Sequence, residues 1–138
     1  MAAIKVLVDL NVVLDVLQKR EPFYTPSARV LAAAEIGQIK GFVAAHSLTT
    51  LFYLISKDQS APAARIMLTA LLQLLSVAPV SQATIEQALN LPYNDFEDAV
   101  QMMSAVQVDA QYLVTRNIKD YKPGLLPVIQ PAELLTLL

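Results

Sequence analysis

The chain has no cysteine, a single histidine and three glycines in 138 residues. Without cysteine there is neither a disulfide framework nor a thiolate metal site, and the composition fits a reducing cytoplasm. One histidine and no cysteine also leave no means of building a zinc centre of the usual kind or a Cys–His catalytic pair. The glycines are scattered at 37, 41 and 124, so there is no glycine-rich phosphate loop. Positive charge is scarce too: 10 Lys and Arg stand against 12 Asp and Glu, for a net charge of −2. That is not the balance of a protein that grips nucleic acid over a long footprint. It does not exclude cleavage, because a cation bound among acids makes a site locally less negative than its formal count.

A long uncharged run, Ile66 to Ile85, has about the length of a bilayer span. Pro79 interrupts it, Gln73, Ser76, Ser81 and Gln82 are scattered through it, and its pattern changes from helix-like to strand-like near Leu74. A buried helix followed by a buried strand accounts for it better. The first residues lack a signal-peptide pattern. The expectation is a soluble, cytoplasmic protein, one domain over residues 1–138, large enough to bury a core without staples.

Strands alternate with helices along the chain. Ile4 to Val8 is an apolar, β-branched strand. Asn11 to Gln18 has helical spacing and ends favourably on Lys19-Arg20. Thr25 is the expected cap of a second helix, with Pro26 at its first position, running to about Ile36 and stopping at Gly37. Strand Ile39 to Ala45, helix Leu48 to Ser56, helix Pro62 to Leu72 and strand Leu74 to Val80 follow. Ser81 caps a fifth helix that ends near Leu91-Pro92, and an acidic helix spans Asp95 to Val106. Tyr112 to Thr115 and Leu126 to Gln130 are the last strands, and Pro131 opens a short final helix. The alternation calls for a parallel sheet covered on both faces.

Acidic residues concentrate in three places. Asp9 ends the first strand, with Asn11 and Asp15 behind it. Asn94-Asp95-Phe96-Glu97-Asp98 opens the late helix. Asn94 and Glu97 have capping-box spacing, and Asp95 and Asp98 share one face of the first turn. Helix capping by itself would account for Asp95 or Glu97. Thr115-Arg116-Asn117 with Lys119-Asp120-Tyr121 follows the fourth strand. Open parallel sheets place their ligands at such strand ends.

Together, Asp-x-Asn-x-x-Leu-Asp after the first strand, Asp-Phe-Glu-Asp-Ala opening a late helix and Thr-Arg-Asn-x-x-Asp-Tyr after the fourth strand resemble a PIN domain, over essentially the whole chain. Among its members, the small bacterial ones resemble VapC toxins of toxin–antitoxin pairs. The resemblance implies a three-layer α/β/α fold with a five-stranded parallel sheet in the order 3-2-1-4-5. Strands 1 and 4 then lie side by side, and the reversal of strand order falls between them. It also implies a Mg²⁺- or Mn²⁺-dependent nuclease that cuts RNA phosphodiesters, acting as a homodimer through the apolar third and fourth helices and, as a toxin, inhibited by an antitoxin partner. Asp9, Asp98, Asp120 and Asn117 are the implied catalytic set, with Asp9, Asp98 and Asp120 as metal ligands. Asn11, Thr50, Asp95 and Thr115 would support them, and Arg116 and Lys119, with Lys122 and Lys19-Arg20 nearby, are candidates for phosphate contact. Asp15 reads equally as a solvated helix acid.

One departure stands out. Most PIN nucleases place a glutamate on the third helix, whereas no acid occurs here between Gln38 and Lys57, and Thr50 stands nearest that position. The alternative reading is therefore a catalytically weakened PIN-like domain that binds RNA or a protein without cutting. His46, at the expected tip of the second strand, reads as a capping or partly buried residue, with a general-base role the lesser option. The pair Phe52-Tyr53 reads as core or dimer surface. A receiver-like domain also uses acids at parallel strand tips, but it would need an aspartate after the third strand, where this chain has Ala78-Pro79-Val80-Ser81.

Overall fold

A computed structural model describes residues 2–138. Strands β1 (Ile4–Val8), β2 (Ile39–Ala44), β3 (Ser76–Ala78), β4 (Tyr112–Val114) and β5 (Val128–Ile129) form a wholly parallel sheet in the order β3-β2-β1-β4-β5. This is the order implied by the PIN resemblance, and it differs from the 2-1-3-4-5 order of receiver-like sheets. The helices are α1 (Leu10–Leu17), α2 (Tyr24–Glu35), α3 (Ala45–Asp58), α4 (Ala61–Leu71), α5 (Gln82–Ala88), α6 (Phe96–Gln107) and α7 (Pro131–Leu135), with a 3₁₀ turn at Ile118–Tyr121.

The period-2 alternation of a strand sorts the core into two layers. Val6 and Val8 of β1 point to one face and are packed with Val12 and Val13 of α1, Val30 and Leu31 of α2, Leu51 and Ile55 of α3 and Leu134 of α7. Leu7 points to the other face, against Met102 and Ala105 of α6 and Leu113 of β4. Because β1 is covered on both sides, its last three residues are fully buried. No described helix is long and apolar enough to cross a membrane. The uncharged run divides as its pattern indicates, into the amphipathic α4 and the short edge strand β3.

Several boundaries differ from the sequence reading. Strand β3 has three residues rather than seven, because the chain is still turning at Leu74, whose amide donates to Leu71. Strand β5 has two residues, although the Pro127 carbonyl still accepts from Leu113 beside it. Helix α2 begins at Tyr24, before Thr25, and no side chain caps it. Pro26 lies within its first turn, where a missing amide costs nothing. Helix α6 is capped by Asp95, whose carboxylate accepts from the Glu97 amide at 2.9 Å, not by the Asn94–Glu97 box. Ser81 does cap α5, in a reciprocal box with Thr84.

Candidate active site

The central strands β1 and β4 run in register from Val6–Tyr112 to Val8–Val114, so their C-terminal tips emerge together. The Asp9 amide donates to the Val114 carbonyl at 2.9 Å, which fixes the backbone of Asp9 against β4. Asp9 is the N-cap of α1 by position, yet its side chain makes no capping bond. The carboxylate turns instead into the protein. Thr115 Oγ1 donates to its Oδ2 at 2.8 Å and Gln101 Nε2 to its Oδ1 at 3.0 Å. Thr115 also accepts from the Asn117 amide at 3.0 Å, so one hydroxyl ties the carboxylate to the chain leaving β4.

Burial pushes the Asp9 carboxyl up, and the bonds from Thr115, the Leu10 amide and Gln101 oppose that rise. Asp98, in the first turn of α6, is pushed up to about 7, first by burial and then by the negative charges of Asp95, Asp9 and Asp120. The hydroxyl of Tyr121, a buried residue, faces both Asp9 and Asp98. Burial and those two carboxylates drive its own pKa above the usual phenol range. The mouth of the site is a cleft of about 180 Å³, lined by Asp95, Asp98 and Asp120 together with Tyr93, Lys119 and Lys122.

Asp9, Asp95 and Asp120 are thus brought within electrostatic range of Asp98, with Lys119 on the rim. Asn117 stands at the head of the 3₁₀ turn that carries Asp120. The two side-chain bonds to Asp9 come from Thr115 and Gln101, and Asn11 makes neither. It lies only two positions beyond Asp9, and residues two apart on a helix do not face one another. Thr50 makes no hydrogen bond to Asp9 either. Ser47, nearly one turn earlier in α3 and closer to the strand tips, bonds Gln101 at 3.3 Å. Arg116 is held away from a free phosphate-binding posture: its Nε lies 3.0 Å from Asp15, and its guanidinium stacks over Phe23, 4.1 Å from the ring centre. Asp15 is not a solvated acid, being wholly buried with Arg116 and, at 3.8 Å, Arg20 as partners. His46 is half-buried, and neither ring nitrogen has a hydrogen-bond partner. Burial lowers its pKa, against the pull of nearby Glu97.

Gln101, Ser47 and Tyr121 are the members that the sequence reading did not single out. The signal for Gln101 was present: it lies three residues after Asp98, on the same face of α6, within the otherwise apolar Ala99–Met103 stretch. Nothing local marks Ser47, which resembles any residue of a helix's first turn.

An open parallel sheet that gathers carboxylates where its strand order reverses holds them where α/β folds of this kind bind their ligands. The PIN domain model matches residues 5–119, and the chain belongs to this family. It is 22% identical over 126 residues to ribonuclease VapC1 of Aquifex aeolicus, covering 88% of this chain and 87% of that one. Among solved structures it resembles a toxin–antitoxin complex from Klebsiella pneumoniae, at TM-score 0.70 and 22% identity over 91% of this chain and 97% of that one. It also resembles Mycobacterium tuberculosis VapC20, a sarcin–ricin loop cleaving toxin, at TM-score 0.63 and 16% identity over 78% and 86%.

Proposed function

We propose that this protein is a divalent-metal-dependent endoribonuclease, the toxin of a toxin–antitoxin pair, with Mg²⁺ or Mn²⁺ as its ion. The observation that carries the reading is the crowding around Asp98, whose carboxyl is pushed up to about 7 by burial and by three other carboxylates. Acids gathered at this expense to themselves suit a hard cation, which takes oxygen ligands and favours their ionised form. As placed, no three His, Cys, Asp or Glu side chains among the described residues form a ready metal cage. The donor set is nevertheless oxygen-only and sparse, as suits an ion that keeps several waters. Asp9, Asp98 and Asp120 would hold it, with the Asn117 amide oxygen as a further donor. When bound, such an ion activates a water and clamps the scissile phosphate.

The protein's own groups do the rest. Thr115 and Gln101 orient Asp9, and Asp95 places the first turn of α6 and adds negative charge beside Asp98. Lys119 and Lys122 line the cleft and offer phosphate contacts, a role that Arg116 shares less because Asp15 holds it. RNA as substrate and an antitoxin as partner are supported by the relatives named above. An apolar groove of about 490 Å³ between α1, α2 and α4, lined by Leu17, Leu31, Met67 and Leu74, gives a partner helix somewhere to lie. A homodimer through α3 and α4 is supported by the exposed Tyr53 and Ile66 and is tested by light scattering.

The deciding experiment is cleavage of labelled single-stranded RNA with Mg²⁺ or Mn²⁺, wild type against Asp98→Asn, with EDTA as control. Metal-dependent cutting that vanishes in the variant is expected. Clean wild-type protein that neither cuts nor binds either metal would transfer the reading to a non-catalytic PIN domain, for which the absent helix-three acid speaks.

A further inference from the structure

The third helix reaches Asp9 without an acid of its own. Ser47, in the first turn of α3, donates to Gln101 Oε1, and Gln101 Nε2 donates in turn to Asp9 Oδ1. All three residues are buried, at 1%, 2% and 6% exposure. Chemistry fixes the direction of this chain. An ionised carboxylate only accepts, so Gln101 must present its amino group to Asp9, which leaves the amide oxygen to accept from a hydroxyl. Packing alone gives no reason for an amide here. Its neighbours Val100 and Met102 are apolar and buried, and a buried amide is costly unless both of its ends are paired.

Helix α6 therefore acts on the site twice. Asp98 projects into it directly, and Gln101, on the same face three residues on, grips the second carboxylate. Thr115 holds the opposite oxygen of Asp9 from β4. A carboxylate held at both oxygens from two elements cannot turn about its own axis, and its remaining lone pairs keep one direction.

We propose that Gln101, with its amide polarity set by Ser47, is a positioning residue that fixes the rotation of Asp9 and links the start of α3 to the site where an acidic side chain of that helix is lacking. The proposal rests on the reading of Asp9 as an ion-holding carboxylate. A neutral amide suits this place because it orders Asp9 without adding a fifth negative charge to those of Asp9, Asp95, Asp98 and Asp120.

The test compares wild type with Gln101→Leu and Ser47→Ala, using Mn²⁺ titration calorimetry, steady-state RNA cleavage and thermal unfolding. Loss of an outer partner of a metal-bound carboxylate is expected to weaken Mn²⁺ binding and kcat by about 10- to 100-fold in Gln101→Leu. The effect of Ser47→Ala should be smaller, and KM for RNA should be unchanged in both. A folded Gln101→Leu protein that binds Mn²⁺ and turns over like wild type overturns the proposal, and so does a folded Ser47→Ala protein with unaltered Mn²⁺ affinity. Should Gln101→Leu fail to fold, Ser47→Ala decides on the same readings. In the metal-free protein, the side-chain amide NMR signal of Gln101 should be displaced by both Ser47→Ala and Asp9→Asn. If wild type neither binds Mn²⁺ nor cuts RNA, the nuclease reading fails, and that signal alone judges the hold on Asp9: displacement by both variants upholds it, and indifference to both overturns it.

Discussion

Two buried aspartates, six residues apart in sequence, are handled in opposite ways. Asp15 is wholly inside the protein, and Arg116 at 3.0 Å and Arg20 at 3.8 Å answer its charge. Asp9 is nearly as buried, yet its partners Thr115 and Gln101 are neutral donors, no cation acts on it, and its own charge bears on the carboxyl of Asp98. Burial raises the carboxyl pKa of both, and only Asp15 has cations to pull it back. The first arrangement joins α1 to the chain leaving β4. The second keeps a negative charge oriented and uncompensated, which benefits nothing in the folded protein by itself. Perturbed carboxyls of this kind cluster at functional sites, and the proposed ion would complete this one.

The largest effect that would break this contrast is expected from Asp98→Asn. RNA cleavage should fall by about 100-fold or more, since losing a carboxylate that would hold the proposed ion forfeits part of the several kcal/mol of charge stabilisation such an ion supplies. Stability should move the other way. The folded carboxyl titrates near 7 against 3.8 for the free side chain, so the folded state holds its proton more tightly. Stability is therefore lost as pH rises from about 4 to 7, and the penalty is complete above 7. Removing the charge should raise Tm by a few degrees at pH 8 and leave it unchanged at pH 3. Asp15→Ala should do the reverse, leaving the carboxylate cluster intact but stranding Arg116, at a cost of about 3 kcal/mol in urea unfolding.

Thr115→Val removes the bond to Asp9 and leaves the Asn117 amide without its hydroxyl. Mn²⁺ affinity should drop about 10- to 100-fold, and stability should fall by about 1–3 kcal/mol. Proton competition at Asp98 sharpens the comparison further. Mn²⁺ binding should be about tenfold weaker at pH 6 than at pH 8, with proton release visible as a buffer-dependent binding heat. The smallest effect is expected from Lys119→Ala, a few-fold rise in KM for RNA with a shallower salt dependence and kcat unaltered.

Much of this was legible in the order of residues. The parallel sheet followed from strands alternating with helices, and Asp9, Asp98 and Asp120 announced themselves as acids at strand ends and a helix start. What escaped depends on distance in space. Gln101 bonds Asp9 across 92 positions and Ser47 bonds Gln101 across 54, and no local pattern registers such a pair. Asn11 and Thr50 were chosen by place in a motif, whereas the hydrogen bonds come from Thr115 and Gln101 on other elements and from Ser47, about a turn before Thr50. Arg116 read as a free cation because its partner Asp15 gives no outward sign of being buried. The short β3 and β5 were overdrawn because apolar runs continue past the points where the backbone stops pairing.

The pairing of β4 beside β1 has a bearing on the time when the protein is being made. Thr115 meets Asp9 across 106 residues, and Asp120 comes later still. A ribosome releasing this chain would hold Asp9 exposed, without its companions, until the fourth strand had emerged and inserted between β1 and the still unmade β5. Contacts so remote in sequence also form slowly. The translating machinery is built of RNA, and until that strand has emerged the nascent chain beside it has no assembled cleft.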